Sequence, residues 1–168
     1  EDMDVRGTSN MELKEQIARK ALEYVKDGDT IAIDSGSTAS LFAMALKARN
    51  FDSLSVITYS SEVFSILSEC GNYRITLLGG EYLPKEKLFY GFLTHEAMQK
   101  LYFSKAFVVP SALSVEDGAH DFIRETYENQ CMLIGHASEV FLLADSTKFE
   151  TSASLRKSES PNSAENAT

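Results

Sequence analysis

Four short stretches carry residue types able to hold a small anionic or hydroxylated ligand. The strongest is Asp34-Ser35-Gly36-Ser37-Thr38-Ala39. Gly36 permits a tight turn and close backbone approach. Ser37 and Thr38 set hydroxyls beside the free N–H groups of a helix start, which attract anions. These residues suit a phosphate cradle; the alternative is that Ser37 caps its own helix. The second stretch, Thr58-Tyr59-Ser60-Ser61, offers hydroxyls that either cap a helix or bind a sugar. The third, Gly79-Gly80-Glu81, is a glycine pair that lets a loop pack against a ligand, or an ordinary turn. In the fourth, Ala144-Asp145-Ser146-Thr147-Lys148-Phe149, Lys148 can point a positive charge at a phosphate and Asp145 can orient it or a sugar hydroxyl. The alternative there is a surface salt bridge. Glu125 either accepts from a sugar hydroxyl or favours the dipole at the start of the last helix.

The elements around these stretches predict where they meet. Leu13, Ile17, Ala21 and Val25 recur every four residues and predict one face of a helix from Met11 onward. Asp27-Gly28-Asp29 ends it with turn chemistry. Strands are expected at 30–34, 54–58, 73–78, 105–109 and 140–144, and helices at 39–47, 61–70, 93–102 and 123–136. Strand and helix alternate, and most strands are continuous apolar runs. This pattern predicts an α/β fold, Rossmann-like, with a mostly parallel sheet and helices on both faces. All four stretches directly follow a strand. Ligands in such sheets sit at the carboxyl ends of the strands, so neighbouring strands would bring these loops into one crevice.

Composition excludes several classes. The net charge of -9 over 168 residues opposes a DNA phosphate surface, and no local basic patch offsets it. No apolar run approaches the roughly 20 residues of a transmembrane helix. Cys70 and Cys131 form no CxxC pair, and His95, His120 and His136 are scattered, so neither a zinc site nor a disulfide framework is expected. Two free thiols suit a reducing cytoplasm. There is no GxxxxGK[ST] or GxGxxG loop and no Ser/His/acid triad in recognisable context, so no cofactor or catalytic residue is assigned. Residues 1–10 read as a polar lead-in and 11–149 as one domain. Residues 150–168, rich in Ser, Asn, Ala and Glu, read as a disordered tail.

The order of these signals resembles the C-terminal effector-sensing domain of DeoR-type transcriptional regulators. The pieces that carry the resemblance are Asp27-Gly28-Asp29-Thr30-Ile31 with Asp34-Ser35-Gly36-Ser37-Thr38, then Val56-Ile57-Thr58-Tyr59-Ser60, Leu77-Leu78-Gly79-Gly80-Glu81, Gly91, and Leu142-Leu143-Ala144-Asp145-Ser146-Thr147-Lys148-Phe149. The resemblance covers about 11–149. It implies a fold similar to ribose phosphate isomerase, in which Gly36-Ser37-Thr38-Ala39 resembles that enzyme's phosphate loop. It also implies a non-enzymatic sensor of a phosphorylated sugar or related metabolite, usually multimeric. DNA would be contacted through a helix-turn-helix domain absent from this chain.

Three departures stand out. The loop after the fourth strand reads Val109-Pro110-Ser111-Ala112-Leu113, with no Asp until Asp117. Asn129 stands where the family usually has Lys, and a polar tail replaces a further strand. The first two remove a charge pair that would grip an effector. Two other readings stay open. One is an interaction or oligomerisation domain with a degenerate pocket. The other is a sugar phosphate isomerase, with Glu81, Asp117 or Glu125 as the acid/base.

Overall fold

The computed structural model describes residues 10–114, 118–121, 123–145 and 148. The lead-in through residue 9, the expected tail from 150, and Asp117, Ser146, Thr147 and Phe149 lie outside the described residues. In chain order the elements are α1 (Met11–Leu22), β1 (Thr30–Ile33), α2 (Ser37–Arg49), β2 (Leu54–Thr58), α3 (Ser61–Leu67) and β3 (Tyr73–Leu77). They continue with β4 (Glu81–Leu83), β5 (Leu88–Tyr90), α4 (Phe92–Met98), β6 (Phe103–Val108), β7 (Ala112–Ser114), β8 (Gly118–His120), α5 (Arg124–Gly135) and β9 (Ala137–Leu142).

Five strands form one parallel sheet in the order β3-β2-β1-β6-β9. The continuous apolar runs lie in its middle, because a central parallel strand is covered on both faces. Side chains alternate across the sheet. Ile31, Ile33 and Phe107 join a core with Ala18 of α1, Phe42 and Leu46 of α2 and Val63 of α3. Ala32, Ala106 and Val108 join a second core with Leu88, Met98 of α4 and Leu133 of α5. Helices therefore cover both faces, as the alternation of elements predicted. The strand order reverses between β1 and β6. The crevice outside that switch point is where open α/β sheets take ligands.

Three local expectations are corrected. The buried face of α1 runs through Lys14, Ala18 and Ala21, while Leu13 is 39% exposed. A lysine stem packs where the spacing predicted leucine. Residues 81–90 form the β4–β5 hairpin instead of an open loop, and Ala112–Ser114 pairs antiparallel with Gly118–His120. Strands of three residues are too short to show a period. The last strand starts at Ala137, paired with Phe103, rather than at 140. As an edge strand β9 is half-exposed and lacks the continuous apolar signal. Among the described residues no helix is long and apolar enough to cross a membrane.

Candidate functional site

The end of β1 is organised by Asp34, which is fully buried. Its Oδ1 accepts from the Ser35 N–H at 2.7 Å and from the Tyr59 hydroxyl. Its Oδ2 accepts from the Val109 N–H at 2.9 Å and from Gln130 Nε2 at 2.8 Å. One carboxylate thus joins the ends of β1, β2 and β6 to α5. Burial pushes the Asp34 carboxyl up to about 6, against the opposing pull of its hydrogen bonds from Tyr59, Val109, Ser35 and Gln130. Burial, and then the charge of Asp34, hold the Tyr59 hydroxyl well above its ordinary range.

Next comes the turn into α2. Gly36 is the N-cap with φ 109°, a conformation that favours glycine. The cap residue has no side chain with which to close the helix, so the first N–H groups lack the usual partner from their own turn. Ser37 is the first helical residue rather than the cap. Its Oγ accepts from Lys14 Nζ at 3.0 Å, and Lys14 is only 5% exposed. Thr38 is buried beside it. An ammonium group, two hydroxyls and an open helix start therefore meet at one turn, an arrangement suited to an anion.

The other sequence candidates divide by role. Thr58 Oγ1 donates to the Ile33 carbonyl at 2.7 Å and accepts from the Ser60 N–H at 3.0 Å. Ser60 Oγ accepts from the Val63 N–H at 3.1 Å and caps α3. Thr58, Tyr59 and Ser60 are all fully buried; they fasten β2 to β1 and cap a helix. The Gly79 carbonyl accepts from Thr94 Oγ1 at 2.6 Å. A Cβ on Gly80 would lie 2.2 Å from that Oγ1 and 2.6 Å from the Tyr90 carbonyl oxygen, so glycine is required there by packing. Glu81 is exposed. Glu81 and Tyr90 are partners across the β4–β5 pair. The charge of Glu81, then burial, and last the charge of Glu125 on α5 raise the pKa of the Tyr90 hydroxyl. Lys148 is half-buried, and its N–H donates to the Asp145 carbonyl at 3.1 Å. Asp145 itself shares a surface groove with Leu13, Gln16, Ile17 and Lys20 of α1.

The departures at Ser111 and Asn129 are also placed. Ser111 Oγ donates to Asp121 Oδ2 at 2.8 Å. Asn129, fully buried, donates to the Phe89 carbonyl at 2.8 Å, and its Oδ1 lies 3.0 Å from His95 Nε2. Both side chains hold neighbouring elements together.

A family model described as the DeoR C terminal sensor domain matches residues 9–160. The chain belongs to that family. It is 38% identical over 141 residues to the lactose phosphotransferase system repressor of Lactococcus lactis subsp. lactis, covering 84% of this chain and 55% of that protein. It is 37% identical to the protein of the same name from Streptococcus mutans serotype c, covering 82% and 54%. The sensor domain thus spans about half the length of the curated relatives it matches. Among solved structures it is similar to ribose 5-phosphate isomerase A from Neisseria gonorrhoeae, with TM-score 0.62, 17% identity and 84% and 55% of the two chains covered. It is also similar to the Pyrococcus horikoshii translation initiation factor eIF-2B, with TM-score 0.60, 19% identity and 89% and 52% covered. At these identities the likeness shows the fold alone.

Sequence reasoning missed three residues that this sensor domain ties to the candidate stretches, namely Lys14, Tyr90 and Gln130. Lys14 carried a signal, since it interrupts the apolar stripe shared with Ala18, Ala21 and Val25. Tyr90 lay in a strand too short to read. Nothing in the sequence near Gln130 marks its partner Asp34, 96 residues away.

Proposed function

We propose that this domain is a non-enzymatic sensor that binds a small phosphorylated metabolite of the sugar-phosphate class, with the phosphate at the start of α2. The observation that carries the reading is the buried Lys14 ammonium, 3.0 Å from Ser37 Oγ, beside a helix start whose cap residue is a glycine. In this reading Gly36, Ser37 and Thr38 offer backbone N–H groups and hydroxyls to the phosphate, and Lys14 and Lys148 supply charge. Glu81, Tyr90 and Glu125 meet the sugar hydroxyls. Asp34, Thr58, Tyr59, Ser60, Gly79 and Gly80 hold the loops in place from behind.

Relatives named as repressors of a lactose phosphotransferase system support a sugar-derived effector. The charge of -9 supports DNA contact made by a part of the protein outside this chain. Binding would shift a two-state arrangement that governs that contact. The unpaired Cys70 and Cys131 support a cytoplasmic setting. Phe92 and Leu93, 75% and 68% exposed, support a homo-oligomer.

The test is a thermal-shift screen against sugar phosphates, with the matching free sugars as controls. A ligand at 100 times its Kd adds about 2.7 kcal/mol, several degrees for a domain of this size. A shift with one phosphosugar and none with its free sugar is the expected result, lost in Lys14→Met plus Ser37→Ala. A folded protein that responds to no compound would favour a second reading, a domain that only associates. That reading draws on the engagement of Ser111 and Asn129 in internal bonds.

A further inference from the structure

A fully buried carboxyl stands directly behind the turn that opens α2. Asp34 is followed by Ser35 and then by Gly36, the cap of that helix. Among the described residues every donor to Asp34 is neutral. These are the Ser35 and Val109 N–H groups, the Tyr59 hydroxyl and the Gln130 amide. The same Gln130 Nε2 lies 3.4 Å from Oδ2 of a second buried carboxylate, Asp121. Two carboxylates therefore meet at one uncharged amide. The other titratable groups at this network are Tyr59 at the end of β2 and Cys131 on α5, while the end of β6 contributes the Val109 backbone. On the α2 side the charged group is Lys14, which bonds Ser37. A buried carboxylate held only by neutral donors, with a second carboxylate nearby, is weighted toward its protonated form.

We propose that Asp34 couples the anion site to pH: an anion bound at the start of α2 draws a proton from solvent onto Asp34, so that acidification tightens binding. The inference rests on the anion reading above and adds to it the regulation of that site. The physical ground is like-charge repulsion across one turn. A doubly charged anion at Ser37 adds negative charge beside a carboxylate that has no countercharge in contact, and the neutral carboxyl relieves it. Because linkage is reciprocal, the proton that the anion favours also favours the anion. Burial already brings the Asp34 carboxyl up to about 6, so the coupling acts between about pH 5 and pH 8.

The experiment is titration calorimetry on the 168-residue chain, with inorganic sulfate as the probe and chloride holding the ionic strength constant. Sulfate stays doubly charged across this range, whereas a phosphate monoester takes up a proton of its own. Binding is expected to be about tenfold tighter at about pH 5 than at about pH 8, the effect of a one-unit rise in the carboxyl's pKa on binding. At intermediate pH, heats in two buffers of different ionisation enthalpy should report proton uptake. The infrared difference spectrum should gain the C=O stretch of a protonated carboxyl, which an imidazole cannot give. In a folded Asp34→Asn chain, whatever its affinity, the ratio between the two pH values should fall to near unity and the new band should vanish. Equal affinity at both pH values, or proton uptake without the carboxyl band, overturns the coupling and leaves the anion site standing. An Asp34→Asn chain that keeps both the ratio and the band also overturns it. No sulfate binding at either pH overturns the anion reading and the coupling together.

Discussion

Two strand-to-helix turns of this domain are alike in sequence and opposite in structure. Thr58-Tyr59-Ser60-Ser61 and Ser35-Gly36-Ser37-Thr38 are both rich in hydroxyls, and both follow central parallel strands. The first is closed. Ser60 caps α3 through the Val63 N–H, and Thr58 bridges the Ile33 carbonyl and the Ser60 N–H. The second is open. Glycine holds the cap position, and the nearby hydroxyl of Ser37 is taken by a lysine from another helix. Hydroxyl content does not separate a cap from a site. The separation lies in whether the residue at the cap has a side chain to close the first N–H groups.

The largest expected effect strikes what the two turns share. Asp34 accepts from Ser35 in one and from Tyr59 in the other. Asp34→Ala strands buried donors and is expected to cost about 3–5 kcal/mol in urea denaturation. A loss below about 1 kcal/mol would show that each turn stands alone. A somewhat smaller effect comes from pH. Burial raises this carboxyl from 3.8 to about 6, so the folded chain holds its proton more tightly than the unfolded chain. That stabilisation is complete below the lower value and fades as pH rises through the upper one, on the order of 3 kcal/mol in all. Asp34→Asn should flatten this part of the stability curve; an unchanged slope would assign it to another group.

Finer substitutions separate the turns from one another. Gly36→Ala forces a side chain into a φ of 109°, at a cost of about 1–2 kcal/mol, and should abolish any phosphosugar-induced thermal shift. Ser60→Ala removes a helix cap, costs about 1 kcal/mol, and should leave the phosphosugar response intact. Ser37→Ala removes an acceptor of the buried Lys14 ammonium at a similar cost of about 1 kcal/mol, but should weaken phosphosugar binding about tenfold by titration. If Ser60→Ala weakened binding as much as Ser37→Ala, the contrast between the turns would collapse.

Much of the framework was legible because it rests on long, periodic signals. The runs at β1, β2 and β6 are apolar on both faces, and α2 is long enough to be seen, whereas α5 buries Thr126, Asn129, Gln130 and Leu133, a mostly polar face that apolar spacing does not mark. The position of each candidate stretch after a strand was legible as well. The division of labour among them was not. Asp34, Thr58 and Tyr59 look like ligand groups in sequence, and burial turns their polar atoms inward. Lys14 looks like one solvated lysine among many until the packing of α1 on α2 brings it to Ser37. Partners such as Gln130 and Asp34 are joined by the fold alone, and no local pattern marks such a pair.

Ala32 and Ala106 lie opposite one another on β1 and β6, in one core with Met98 and Leu133. Two methyl groups at the centre of that face make a thin spacer between the sheet and the helices laid on it. The reach of a glutamine side chain is fixed, and Gln130 Nε2 arrives 2.8 Å from Asp34 Oδ2. A bulkier residue at either alanine would thicken the layer and lift α5. The amide would then be drawn off the carboxylate, so the smallest side chains in the sheet set the gauge to which the crevice is built.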